Sequence, residues 1–201
     1  EAYSFRSEAK YHLGDYMGAE KDAATAIELN PFIPYSYENR SLALAKLKRY
    51  GEAIEGYKVL LKMLPDNPGM WRNYAIFHYH MNDFDGAMAA IDSMRAKAPN
   101  NTIALHLRSS LLKERGDTLG AIAALDPILM IDKYDHAAYM DRSIINIGLN
   151  KFEEVENDLT QAIHLFPMSG HYINRSVARE ELGNLRGAMD DLDMAVQLDP
   201  D

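Results

Sequence analysis

The chain has 201 residues, of which 47% are hydrophobic and 25% charged, the profile of an ordinary folded chain and not of a disordered or collagen-like one. Its 21 basic and 30 acidic side chains leave a net charge of −9 with no dense Lys/Arg run, which argues against nucleic-acid binding and against adhesion to an anionic membrane surface. Cysteine is absent, which removes disulfides, zinc–thiolate sites, iron–sulfur clusters and thiol nucleophiles together.

The first residues, Glu1-Ala2-Tyr3-Ser4-Phe5-Arg6, lack the apolar core of a signal peptide. No stretch approaches the roughly 18 apolar residues of a bilayer span, so direct membrane insertion is not expected. Beginning on Glu instead of Met, the chain is expected to belong to a longer one, and its compartment is left open.

A period runs from end to end and divides the chain into units at about 1–33, 34–67, 68–101, 102–135, 136–168 and 169–201. The first unit carries Arg6-Ser7, a bend signal at Gly14-Asp15, then Ala19 and the closing Pro31. In the second, Ser41, Leu42, Leu44, Ala45 and Leu47 follow Arg40 with helical periodicity. After Lys48-Arg49-Tyr50, the run Ala53, Ile54, Tyr57, Leu60, Leu61 and Leu64 forms another helical stripe, closed by Pro65. The third unit places Tyr74-Ala75 where the others have Arg-Ser, then Ala87 and Pro99. The fourth has Arg108-Ser109, Gly116-Asp117 and Ala121, with Lys133 in place of the proline; Pro127 inside its second helix predicts a kink and an altered turn. The fifth has Arg142-Ser143, Val155 and Pro167. The sixth has Arg175-Ser176, Gly183-Asn184, Ala188 and Pro200.

The Arg-Ser pairs are spaced by 34, 68, 34 and 33 residues, and the prolines and alanines keep the same phase through the one-residue contraction. Such a period means stacked units. Small residues at Ser7, Ser41, Ala75, Ser109, Ser143 and Ser176, and at Ala19, Ala53, Ala87, Ala121 and Ala188, are therefore structural: they let two helices approach closely. Tyr16, Tyr50, Phe84 and Phe152 fall near the bends, placed to plug each hairpin tip. The prediction is an all-α solenoid of about six two-helix hairpins, forming one cooperative domain.

The pattern resembles the tetratricopeptide repeat family. The resemblance rests on Tyr3, Tyr37, Trp71, Leu105, Tyr139 and Tyr172, on the small residues and alanines above, on Ala26 and Ala162, and on the closing prolines. The Arg-Ser pairs resemble a common subclass with arginine at this point. Lys133, Val155, and Leu60, Met94 and Ile128 where alanine is usual, depart from the family pattern. The resemblance implies a right-handed superhelix whose first helices line a concave face, with peptide or protein partners and no catalysis.

Carrying the family's groove positions onto this sequence gives Tyr11 and His12, then Tyr35, Leu42 and Lys46. Arg72, Ile76, Tyr79 and His80 follow, then His106, then Met140, Ile144 and Ile147, and finally Ile173. Ser4, Glu8, Glu38, Ala45, Ser110, Lys113, Glu114, Val177 and Glu180 complete the lining. Aromatic and aliphatic anchors bury a guest's side chains, while Arg72 and Lys46 are suited to a carboxylate. Members that clamp acidic chaperone tails carry Lys and Asn in the first unit, Asn in the second, and Lys and Arg in the third, at places that here hold Ser4 and Glu8, Asn39, and Gly69 and Asn73; only Asn39 agrees, and Glu8 repels a carboxylate. That activity is not expected.

Chemistry finds no home in the pattern. His78 and His80 are two apart on a helix and point in different directions, so they do not chelate as an i, i+4 pair would. Asp190, Asp191 and Asp193 lie in a helical stretch instead of a calcium loop and read as solvated charge. Met63, Met88, Met94 and Met130 read as core fillers. Gly14, Gly116 and Gly148 read as isolated bend residues. There is no phosphate loop, nucleophile elbow or HExxH, so no cofactor, metal or catalytic residue is expected. The Arg-Ser arginines are expected to cover apolar surface and reach acids or carbonyls of adjacent units. A second function, assembly through the ends or the back, is suggested by Ala188, Met189, Leu192 and Ala195 on the last helix, part of which should be left open, allowing a homo-oligomer.

Overall fold

A computed structural model describes Glu1–Pro200; Asp201, the last residue of the sixth expected unit, lies outside the described residues. Twelve helices pair into six hairpins among the described residues. The first helices of the pairs are α1 (Ala2–His12), α3 (Pro34–Lys46), α5 (Pro68–His80), α7 (Thr102–Glu114), α9 (His136–Gly148) and α11 (Ser169–Glu181). The second helices are α2 (Tyr16–Leu29), α4 (Tyr50–Met63), α6 (Phe84–Lys97), α8 (Thr118–Ile131), α10 (Phe152–Leu165) and α12 (Leu185–Leu198). The chain gathers into two compact units, one from Glu1 to Ala104 and one beginning at Leu105.

Each hairpin turns on one left-handed residue. Gly14, Gly116 and Gly183 take φ of 78–82°, where a Cβ is costly, and Lys48, Asn82 and Asn150 hold the same place at 55–61°. Gly148, by contrast, ends α9 inside the helix, and Asn150 is the bend residue there. In four hairpins the residue after the left-handed one caps the second helix. Asp15 accepts from Gly18 N, Asp83 from Gly86 N and Asp117 from Gly120 N, each at 2.9 Å, and Asn184 accepts from Gly187 N at 3.1 Å. Tyr16 and Phe84 open their helices half-buried, edge-on to Tyr11 at 5.5 Å and Tyr79 at 6.0 Å.

The small residues sit where helices meet. Ser7, Ser41, Ala75, Ser109, Ser143 and Ser176 are all buried, as are Ala19, Ala53, Ala87, Ala121 and Ala188. Where the second helices carry larger groups, as at Leu60, Met94, Ile128 and Val155, these too are buried, so the larger side chains fill the seams. In the first unit Leu44, Tyr57, Leu60 and Phe77 form the heart of a cluster. In the second, Leu105, Leu125, Ile128 and Ile145 form one cluster, and Val155, Leu159 and Ala178 another.

Three expectations need correction. The altered turn is not found: α8 continues past Pro127 to Ile131, and the turn after it has the same four-residue length as the turn at 30–33. Asp132 makes that turn without proline: its Oδ1 accepts from Tyr134 N at 2.9 Å, as Asn30 Oδ1 accepts from Phe32 N at 3.0 Å, and Asp135 then caps α9 through Ala138 N. The one-residue contraction falls in the 166–168 turn. Met130 is no core filler; it is 87% exposed, because the helix turns it away from the buried row of Leu125 and Ile128. Asp191 is not solvated charge: it is buried, unlike the exposed Asp190 and Asp193, because two arginines reach over it.

Candidate peptide-binding face

All fourteen groove residues carried over from the repeat pattern lie on first helices, and none is buried. Each unit presents its own set.

In the first unit the set is aromatic and polar. Tyr11 meets His12 at 5.6 Å, and Tyr79 meets His80 at 5.6 Å, while His80 stacks flat on Tyr50 at 4.7 Å. Tyr35 lies 6.4 Å from Phe5, and its hydroxyl faces the Glu8 carboxylate; burial and then that carboxylate raise its pKa. Burial also raises the pKa of Glu38. Leu42 and Ile76 pack half-buried on the core cluster, and Lys46 and Arg72 are exposed. Ser4 is not available to a guest. It is buried between α1 and α3, its hydroxyl 2.7 Å from that of Ser36, because a serine at both positions closes the seam with a hydrogen bond. Asn39, the single match to the chaperone-tail clamp, is likewise buried and donates to Ser4 O at 3.0 Å.

In the second unit the set is more apolar. Met140 and Ile147 lean on Val155, Leu159 and Ala178, and Asn174 Nδ2 donates to the Met140 sulfur at 3.6 Å. Ile144, Ile173 and Val177 stand 40%, 45% and 39% exposed on α9 and α11. His106 is engaged within the protein, its Nε2 3.0 Å from Asp135 and its Nδ1 3.3 Å from Asp141. The Asp141 hydrogen bond raises its pKa, with Asp135 adding to it and burial opposing.

The histidines of the third hairpin do separate. His78 Nδ1 lies 2.7 Å from Asp83, whereas His80 turns to Tyr50. Among the described residues, no group of three or more His, Asp or Glu gathers as metal ligands, and no helix is long and apolar enough to cross a membrane.

The repeating arginines have a partner that sequence reasoning missed. Arg6, Arg142 and Arg175 each grip an aspartate 16 residues ahead, on the second helix of their own hairpin: Asp22, Asp158 and Asp191. Every pair is bidentate at 2.6–2.9 Å, and each aspartate is buried. The expected reach into neighbouring hairpins is made by Arg40 to Glu20 and, as a third bond, by Arg142 to Asp126 and Arg175 to Thr160. The signal lay in the sequence: the aspartates recur in the repeat phase at the arginine's fixed offset.

Two family models match the chain, both described as tetratricopeptide repeat, one over residues 6–68 and one over 44–111. Over residues 6–111 the repeats are tetratricopeptide repeats. Human sperm-associated antigen 1 is similar over 98% of this chain at 24% identity, and the chain spans about a quarter of that relative's length, 25%. Among solved structures, the C-terminal part of a tetratricopeptide repeat protein from Cytophaga hutchinsonii superposes with a TM-score of 0.82 at 11% identity, covering 97% of this chain and 78% of the other. YrrB, described as a tetratricopeptide repeat protein with an unusual peptide-binding site, superposes at 0.65 with 16% identity, covering 89% and 93%. At such identities the likeness is one of fold.

Proposed function

We propose that this chain is a non-catalytic scaffold that binds a protein or peptide along the first helices of its tetratricopeptide hairpins. The observation that carries this reading is the row of Ile144, Ile173 and Val177, exposed on adjacent first helices while their small neighbours Ser143 and Ser176 are buried. Apolar groups held open on a rigid backing gain by covering: about 25 cal/mol per Å² of apolar area removed from water. The aromatic and acidic set of the first unit, with Tyr35, Glu8 and Glu38, adds polar discrimination. YrrB, which carries a peptide-binding site on the same fold, supports this use of stacked hairpins.

The test is a peptide array followed by calorimetry on the best binder. Ile144→Ser with Ile173→Ser should weaken that binder at least tenfold while the circular dichroism spectrum is unchanged. Undiminished binding to the double variant, and to a variant with Tyr79 and His80 also changed, would sink the reading.

A further inference from the structure

The arginine–aspartate grip is absent from the second hairpin for a visible reason. Sixteen residues beyond Arg40, where Asp22, Asp158 and Asp191 stand in their hairpins, the chain has Gly56. Arg40 makes one contact, Nε to Glu20 Oε1 at 2.9 Å, so its terminal nitrogens lack the carboxylate that fills this place elsewhere. The neighbouring Ser41 is 1% exposed, and its hydroxyl finds no partner. The serines at the same place in other hairpins do find one: Ser7 donates to Ala19 O, Ser143 to Met140 O and Ser176 to Ile173 O, at 2.7–2.8 Å. Ser41 Oγ points at Gly56, into the space a Gly56 side chain would take. A buried hydroxyl without a partner costs about 1–3 kcal/mol, so it is conspicuous against its satisfied counterparts.

Between α3 and α4, Arg40, Ser41 and Gly56 line one side of a cavity of about 350 Å³, with the Ser41 hydroxyl turned away toward Gly56. Tyr37, Leu44 and Val59 supply apolar wall, and Arg40 supplies the polar end beside Ser41 and Gly56. Glu52 and Glu55 also line it, but Arg49 holds the Glu52 carboxylate with two bonds of 2.6 Å and Lys58 holds Glu55 at 2.7 Å. The corresponding cavity around Arg142 in the fifth hairpin is lined by Asp158, the protein's own carboxylate.

We propose that the second hairpin binds a carboxylate on a short apolar stem, with the carboxylate taken by the Arg40 guanidinium and by the Ser41 hydroxyl once it turns from Gly56 toward the cavity. Arginine forks match carboxylates with two parallel bonds, which is how three other hairpins of this chain use the same arginine. The apolar walls select a stem of two or three carbons over a hydrated inorganic anion. This site lies on second-hairpin residues outside the peptide-binding set, so its fate is independent of that reading.

Propionate titrated into the whole chain, followed by amide NMR at fixed ionic strength, tests the site. The Ser41 and Gly56 amides should shift and saturate. In Arg40→Gln the affinity should fall at least about tenfold, the loss of one charge-assisted pair. In Gly56→Asp, which supplies the carboxylate internally, the response should vanish. Ser41→Ala, which needs no new space, guards against misfolding of the aspartate variant and should also weaken binding. A response of equal size in Arg40→Gln, one reproduced by chloride, or none in the unaltered chain would overturn the proposal. A peptide with a free C-terminus that competes with propionate, while its amidated form does not, supports the slot and assigns the carboxylate to a protein end. Propionate binding without such competition supports the slot and assigns it to a free small acid.

Discussion

Arg175 and Asp191 meet in a two-bond pair, Nε to Oδ2 at 2.9 Å and Nη2 to Oδ1 at 2.6 Å, with side-chain exposures of only 11% and 3%. Arg179 adds a third bond to the same aspartate at 3.0 Å while reaching Glu156 on α10 at 2.7 Å. One carboxylate on α12 is thereby tied, through two arginines of α11, to the preceding hairpin. Removing it leaves Arg175 without a carboxylate in a nearly water-free seam and Arg179 with Glu156 alone. Asp191→Ala should cost about 3 kcal/mol or more, measured by urea denaturation. A loss below 1 kcal/mol would mean that the arginines relax to solvent.

Acid should erode the equivalent pair in the first hairpin. The Arg6 hydrogen bond lowers the Asp22 pKa to about 2, against burial and with Lys10 assisting. A depressed carboxylate contributes stability above its unfolded value, and that contribution is lost as pH falls toward about 2. The acid limb of the stability curve should therefore flatten in Asp22→Asn. An unchanged slope between pH 4 and 2, in a denaturation series, would contradict this.

His106 works in the opposite direction. Its raised pKa means that protonation favours the folded state, so its contribution is complete below its ordinary 6.5 and disappears as pH climbs through the folded value. Stability of the second unit should decline across that alkaline window, and His106→Gln should remove the decline. NMR titration of the ring places the midpoint; a midpoint below 6.5 refutes the prediction.

Lys48 holds φ of 61° at a hairpin bend where three sister hairpins use glycine. The Cβ penalty of the left-handed region exceeds the entropy cost of glycine, so Lys48→Gly should raise stability by up to about 1 kcal/mol. Asn82 and Asn150 tolerate the region better, and the same change there should gain less. Thermal melts of the three variants check the order.

Pro127 lies inside α8, where it cannot donate to the carbonyl four residues back. Pro127→Ala restores that bond, and the second unit should gain about 1–2 kcal/mol, part of the gross benefit being offset by a freer unfolded chain. Calorimetry that shows a loss would mean that the ring's packing outweighs the missing bond.

The hairpins were legible because their determinants are local and repeated. Gly14, Gly116 and Gly183 announce bends, the prolines announce helix ends, and Ser7 or Ala19 announce close approach, each through the backbone or the size of one side chain. The groove residues were legible as first-helix positions. Their availability was not: Ser4 is spent on Ser36 and His106 on two aspartates, outcomes that depend on which neighbour a seam brings within reach.

Sequence by itself therefore determined the repeat, its helix pairs, and which face of each helix turns inward, since periodicity and small residues act within one unit of chain. Tertiary structure alone decided where the charges end up. Asp191 reads as one of three acids on a helix until the fold sets it under two arginines, and Gly56 reads as a spacer until its hairpin shows an arginine and a serine facing the place of a side chain. The reason is range: a backbone preference is settled within a few residues, whereas the cost of burying a charge or a hydroxyl is settled by whatever atom the packing places about 3 Å away.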